Sequence, residues 1–151
     1  APDYVEAYPP DYALALPESS WGTGGTHFTW DNSDTRWMWE PIHAVERRME
    51  SLAARFPAAK GDLALVLNQA AREALLLQSS DWPFLVTTGQ ARAYAIERFQ
   101  SHVDRFTELA DALEEGGATP AALELAGRYF KLDNPFPDVD YRDFAAREGK
   151  P

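Results

Sequence analysis

The chain has 151 residues, 45% hydrophobic and 13% aromatic, with 24 acidic against 14 basic side chains and a net charge of −10. Such a chain is the size of one domain and has enough apolar content for a real core, so it is not a largely disordered chain. Its charge repels phosphate backbones and anionic lipid, which argues against nucleic acid and membrane as partners.

Residues 1–36 come first. Four prolines and three glycines lie within the first 34 residues, beside clusters of Ser, Thr, Asp and Asn, so long backbone ladders are not expected there. The stretch reads as an extended, aromatic-rich arm, and a structureless segment of this length usually docks on something. "APDYVEAYPP" has neither the basic n-region nor the apolar h-region of a signal peptide, and no apolar run approaches a membrane span. With no cysteine in the chain, disulfides and thiolate metal sites drop out, which fits a reducing cytoplasm.

From Trp37 the pattern becomes helical. Met38, Ile42, Val45, Met49, Leu52 and Phe56 recur at steps of three and four, one stripe of an amphipathic helix that ends before Pro57. Pro41 is tolerated only in the first turn, which puts the start near Trp39 or Glu40. Leu63, Leu67, Ala70, Ala74 and Leu77 repeat the spacing after Gly61-Asp62, and this second helix stops between Ser79 and Trp82, before Pro83. A third helix is expected after "TTGQ", with Thr87 and Gln90 as a capping box. Its buried face is Ala95, Phe99, Val103, Phe106, Ala110 and Leu113, and Gly116-Gly117 ends it. Thr119-Pro120 reads as N-cap and first position of a fourth helix through Lys131. "NPFPDVDYRDF" has no clear period. The expectation is therefore an all-α helical bundle of about four helices over 37–134, with an irregular tail over 135–151.

Few residues suggest chemistry. His27, His43 and His102 show no metal-ligand spacing; His43 reads as a surface or helix-pairing residue. Asp138, Asp140 and Asp143 suggest a calcium loop, but its sixth and twelfth places hold Asp143 and Gly149 instead of glycine and a carboxylate. No metal and no cofactor is expected. Glu114-Glu115 and Asp31-Asp34 are carboxylate pairs of the kind that serve glycosidases, yet beside Gly-rich turns and helix ends such pairs usually cap and solubilise. "WGTGG" lacks the lysine of a phosphate loop, and its glycines allow positive φ and close approach. Trp21 and Trp30 either pack under the bundle or turn their faces outward to stack on a sugar ring or another ring. Trp82, in "QSSDWPF", is read either as a buried tryptophan of a helix end or as part of a polar end, with Ser79, Ser80 and Asp81, that meets a ligand.

Taken together, "SSWGTGGTHFTW", "WMWEPIHAVERRM", "LNQAAREALLLQSSDWPFLVTTGQARAYAIERFQSHVDRF" and "DNPFPDVDYRDF" resemble the C-terminal helical region of glycoside hydrolase family 57 1,4-α-glucan branching enzymes, over about Tyr4 to Phe144. Amylases and glucanotransferases of that family share parts of the pattern. The resemblance implies a catalytic (β/α) barrel with a glutamate nucleophile and an aspartate acid/base, over whose cleft the helical domain closes. It also implies an α-glucan substrate of the amylose or glycogen type. Trp21 and Trp30 would line glucan subsites, held by the turn at Gly22, Gly24 and Gly25, with Asp81 and Trp82 near the same cleft. Nothing in these residues matches the barrel, so the chain is expected to be a separated domain that partners its own barrel and does not transfer glucan alone. A freestanding carbohydrate-binding module or a helical interaction protein are the other readings.

Overall fold

The apolar stripe that begins at Trp37 folds as an α-helix whose inward residues are Ile42, Val45, Met49, Leu52 and Ala53. A computed structural model of the chain describes residues 2–9, 13 and 15–145, and among these no strand occurs. The helices are α1 (Pro2–Ala7), α2 (Trp39–Arg55), α3 (Asp62–Leu77), α4 (Asp81–Thr88), α5 (Arg92–Glu115) and α6 (Pro120–Leu132). The all-α bundle expected from the sequence is thus present, with α2, α3, α5 and α6 as its four principal helices. Gly149, one of the positions weighed for calcium, lies outside the described residues.

Helix α3 is the centre of the bundle and packs against α2, α5 and α6, while α4 lies on α5. Its buried residues run round most of the helix and include Val66, Leu67, Ala70, Ala71, Ala74 and Leu77. From the facing helices come Met49, Leu52, Phe99, Phe106, Leu109 and Leu113. Each large apolar side chain taken out of water contributes roughly 1.5–3 kcal/mol, so this cluster dominates stability.

The helix ends follow the sequence signals closely. Pro41 sits in the first turn of α2. Thr119 caps α6 by accepting from Ala122 N–H, with Pro120 at the first position. Helix α5 stops at Gly116, and Gly117 follows with φ +70°.

Three features differ from expectation. The segment expected as an extended arm begins with the short helix α1, Pro2–Ala7. "DWPFLVTT" is a helix of its own, because Pro83 occupies the first turn of α4, where a missing N–H costs nothing. Gly89, left-handed at φ +73°, then ends α4 with its N–H on Leu85 O. Thr87 therefore lies inside α4 and cannot cap α5, which starts at Arg92 without a side-chain cap. The segment after α6 also has a fixed place: Tyr141, in the 3₁₀ turn Tyr141–Phe144, is buried and donates its hydroxyl to Phe56 O at 2.5 Å while accepting from Ala59 N–H at 3.0 Å.

Through the core runs a polar network. Glu73 and His102 are fully buried, with His102 Nδ1 2.6 Å from Glu73 Oε2. Gln69 donates to the other carboxylate oxygen at 2.8 Å, and Arg72 donates to Gln69 Oε1. Arg98 donates to His102 Nε2 at 3.2 Å and to Asp133 at 2.8 Å, and Arg105 donates to Asp133 at 2.7 Å. A guanidinium can only donate, so Nε2 accepts and His102 donates from Nδ1 to Glu73. The network ties α3 to α5 and α5 to the end of α6. At the other edge of α5, Arg48 of α2 forks onto Glu114 and also reaches Asp111.

Two predictions follow from these charges. Glu73→Ala leaves the His102 and Gln69 donors buried without an acceptor, and should cost about 3 kcal/mol or more in urea denaturation. The hydrogen bond from Arg98, with help from Arg105 and against burial, holds the Asp133 carboxyl below the usual carboxylate range, as Arg48 does for Glu114. A depressed folded value gives stability that is present above the unfolded pKa of about 3.9 and is lost as pH falls through the folded one. The melting temperature should therefore be level from neutral pH to about pH 5 and fall below about pH 4, and Asp133→Asn should melt lower at pH 7 with a shallower acid decline.

Candidate functional site

Residues 19–38 do not pack as a helix; they fold as consecutive turns that close on α4. Asn32 makes an Asx turn, its Oδ1 accepting from Asp34 N–H at 2.8 Å. Its amide donates at 2.8 Å both to Phe28 O and to Thr87 Oγ1 on α4. Thr87 in turn donates to Thr29 O at 2.8 Å. Thr35, fully buried, accepts from Asn32 N–H at 3.1 Å and donates to Trp30 O at 2.9 Å. An ion pair from Asp34 to Arg92 at 2.9 Å ties the same turn to the start of α5.

This clamp fixes two indoles at the surface. Trp21 and Trp30 meet edge to face, with ring centroids 4.8 Å apart and planes at 84°, and Trp21 also touches Phe84 at 5.7 Å. Trp21 remains 77% exposed and so forgoes most of the stabilisation that burial of a large apolar ring gives. Trp30 seats on Gly22, where a Cβ would lie 2.8 Å from the ring, 2.8 Å from Thr26 O and 2.9 Å from Thr29 Oγ1. Gly24 and Gly25 shape the turn with φ of +65° and +73°, and Gly25 donates to Gly22 O at 2.9 Å.

Beside the pair opens a cleft of about 780 Å³ between the arm, α2 and the junction of α3 with α4, within the usual range for small-molecule sites. Trp30, Trp39, Met38, Ile42 and Pro83 supply apolar wall, and His27, Asp31, His43, Glu46, Gln78, Ser79 and Ser80 supply polar wall. The indole of Trp39 is tied by Nε1–H to Trp30 O at 3.2 Å.

Trp21 and Trp30 are thus together, and Trp30 lines the cleft. Asp81 and Trp82 do not line it. Asp81 is exposed at the start of α4. Trp82 is half-buried, donates from Nε1 to Leu76 O at 2.8 Å and stacks on His102 with centroids 6.2 Å apart. Three of the four paired carboxylates have cationic partners: Asp31 bonds Arg36, Asp34 bonds Arg92, and Glu114 bonds Arg48. Among the described residues no group of three possible metal ligands gathers, and no helix is long and apolar enough to cross a membrane. Sequence reasoning missed Asn32, Thr35, Trp39 and Thr87, of which only Asn32, in "DNSD", carries a local turn signal.

Residues 41–144 match the family described as 1,4-alpha-glucan branching enzyme, C-terminal. The chain belongs to that family. It is 41% identical over 111 residues to the 1,4-alpha-glucan branching enzyme of Thermococcus kodakarensis, covering 73% of this chain and 16% of that protein. It is 32% identical over 135 residues to a probable 1,4-alpha-glucan branching enzyme of Mycobacterium tuberculosis, covering 85% and 26%. Among solved structures, the GH57-type branching enzyme from Pyrococcus horikoshii superposes with a TM-score of 0.84 at 36% identity, over 97% of this chain and 28% of that one. The alpha-amylase AmyC from Thermotoga maritima superposes with a TM-score of 0.73 at 31% identity, over 96% and 26%. The chain therefore spans between about a sixth and just over a quarter of the length of these relatives.

The clamp yields a prediction. Thr87→Val keeps the shape but leaves the buried Asn32 amide a bond short, a loss of about 1–3 kcal/mol, and Gly22→Ala pushes Trp30 off its seat. Both should weaken the exciton couplet of the Trp21–Trp30 pair in circular dichroism while helix content stays unchanged; an intact couplet in both variants would contradict the clamp.

Proposed function

We propose that this chain is the glucan-contacting helical domain of a 1,4-α-glucan branching enzyme, working on chemistry housed in a separate catalytic (β/α) barrel. The observation that carries the reading is the indole pair: two rings held at the surface by a turn of three glycines and a buried hydrogen-bond clamp, in a chain of this family. Trp21 and Trp30 present flat apolar surface to the C–H faces of glucose units. Gly24 and Gly25 hold the turn in the conformation that aims them. Asp81 and Trp82 lie on the neighbouring helix, and we assign them to the margin of the glucan path.

The reaction served is a retaining transfer. An α-1,4 bond is cleaved to a covalent glucosyl-enzyme on the barrel, and a 6-hydroxyl of a second chain attacks it. The part of this domain is to position a glucan and to put apolar surface where water would otherwise compete as the acceptor. Glycogen or a similar cytoplasmic α-glucan is the product this implies.

An amylase role is the second reading, favoured by the similarity to AmyC. The higher TM-score to the branching enzyme of Pyrococcus horikoshii supports transfer over hydrolysis. The chain alone, incubated with amylose, should form no α-1,6 linkages measurable by debranching. In the enzyme that carries it together with its barrel, Trp21→Ala and Trp30→Ala should each lower branching by roughly 30-fold, the scale of an aromatic anchor of about 2 kcal/mol, with unchanged helicity. Loss of helicity with loss of activity would instead make the indoles packing residues.

A further inference from the structure

The cleft next to the indole pair has a wall that stacking alone does not use. Glu46, one of its residues, is held from two sides: Gln78 Nε2 donates to one carboxylate oxygen at 2.8 Å, and His43 Nδ1 lies 2.9 Å from the other. Three side chains, two from α2 and one at the end of α3, are thereby held together, although His43 is 53% and Glu46 37% exposed. Surface side chains of this length normally sample several rotamers, and fixing them costs entropy. Here they are preorganised.

Their hydrogen-bonding capacity is not exhausted. A carboxylate has about four acceptor positions, and a glutamine amide two donors and an acceptor. Two positions on Glu46 are taken, and among the described residues no protein group engages Gln78 Oε1, His43 Nε2 or the Ser80 hydroxyl. All of these line the same cleft as Trp30 and Trp39, and Trp39 is itself fixed by its bond to Trp30 O. Free donors and acceptors beside fixed indoles, with the Trp39 and His43 ring centroids 5.9 Å apart, suit a ligand that carries hydroxyls round an apolar ring face.

We infer that His43, Glu46, Gln78 and Ser80, with Trp39, form a hydroxyl-reading saccharide subsite that continues the path of an α-glucan beyond Trp30. Glu46 is its specificity-determining residue: it accepts from a sugar diol while Gln78 and His43 hold it in place. The inference rests on the reading of Trp21 and Trp30 as glucan platforms.

The test is a titration of the ¹⁵N-labelled 151-residue chain with maltoheptaose, followed by nuclear magnetic resonance. The indole N–H signals of Trp30 and Trp39 and the side-chain amide of Gln78 should shift together with a single Kd. Glu46→Gln, of the same shape, should raise that Kd about tenfold, as expected for the loss of a hydrogen bond to a charged group, with no change in melting temperature. If Trp21 and Trp30 shift while Trp39 and Gln78 are silent and Glu46→Gln binds as tightly as the parent chain, the subsite is overturned and the platform stands. Shifts at Trp39 and Gln78 that vanish in Glu46→Gln, with Trp21 and Trp30 silent, support the subsite and sink the platform. No shift anywhere overturns both.

Discussion

One hydroxyl fastens the arm to the bundle. Thr87 accepts from the Asn32 amide and donates to Thr29 O, and through these two bonds a turn-rich, aromatic-rich arm is fastened to α4. An arm cannot be held by burial when its large apolar residues are the ones left outside, as Trp21 and Phe28 are. It must be held by polar groups that are themselves buried, because only out of water does a hydrogen bond lock geometry. Asn32, Thr29 and Thr35 meet that requirement. The ring of Trp30 is then located by its backbone carbonyl on Thr35 and by the absent side chain of Gly22.

How much of this was legible in the sequence depends on the range of the interaction. The four main helices were, because their apolar positions recur at three and four over many turns, and because Pro120, Gly116 and Thr119 punctuate them by local chemistry. Helix α4 was not. Its eight residues "DWPFLVTT" are too few and too uniformly apolar to show a period, and Pro83 signals a break as readily as a first turn. The consequence was to give Thr87 to the wrong element: a threonine before Gly-Gln has the local look of a cap, whereas its partners Thr29 and Asn32 lie 58 and 55 residues away. The resemblance to the branching enzymes pointed to Trp21 and Trp30, but neither it nor the residue pattern pointed to Trp39 and Glu46, which lie on a helix whose period accounts for its other face.

The same limit hid the polar core. On α3 the residues Gln69, Arg72 and Glu73 lie off the apolar stripe of Leu63, Leu67, Ala70, Ala74 and Leu77, yet all three are buried. A helix packed by α2, α5 and α6 is buried round most of its circumference, so its buried polar residues must satisfy one another or their neighbours. They do so through His102, which a sequence reading leaves as an isolated histidine. Trp82 covers the outer side of that histidine and bonds the last turn of α3, so its indole belongs to the interior order of the bundle in a way that those of Trp21 and Trp30 do not.

The two polar systems have different consequences for motion. The Glu73–His102 network joins helices that share the hydrophobic core, so it can open only when the core opens. The arm is fastened at Asn32, Thr35, Asp34 and the Gly22 seat, with few apolar contacts beneath it, and regions of that kind open at a free energy well below global unfolding. A ligand that bridges Trp30 on the arm to Glu46 on α2 would bind only the closed arrangement and would stabilise it by RT ln(1 + [L]/Kd). Ligand occupancy and arm closure would then be one equilibrium. The bundle supplies a rigid wall, the arm supplies the indoles, and the hydrogen bonds of Thr87 set how readily the two part.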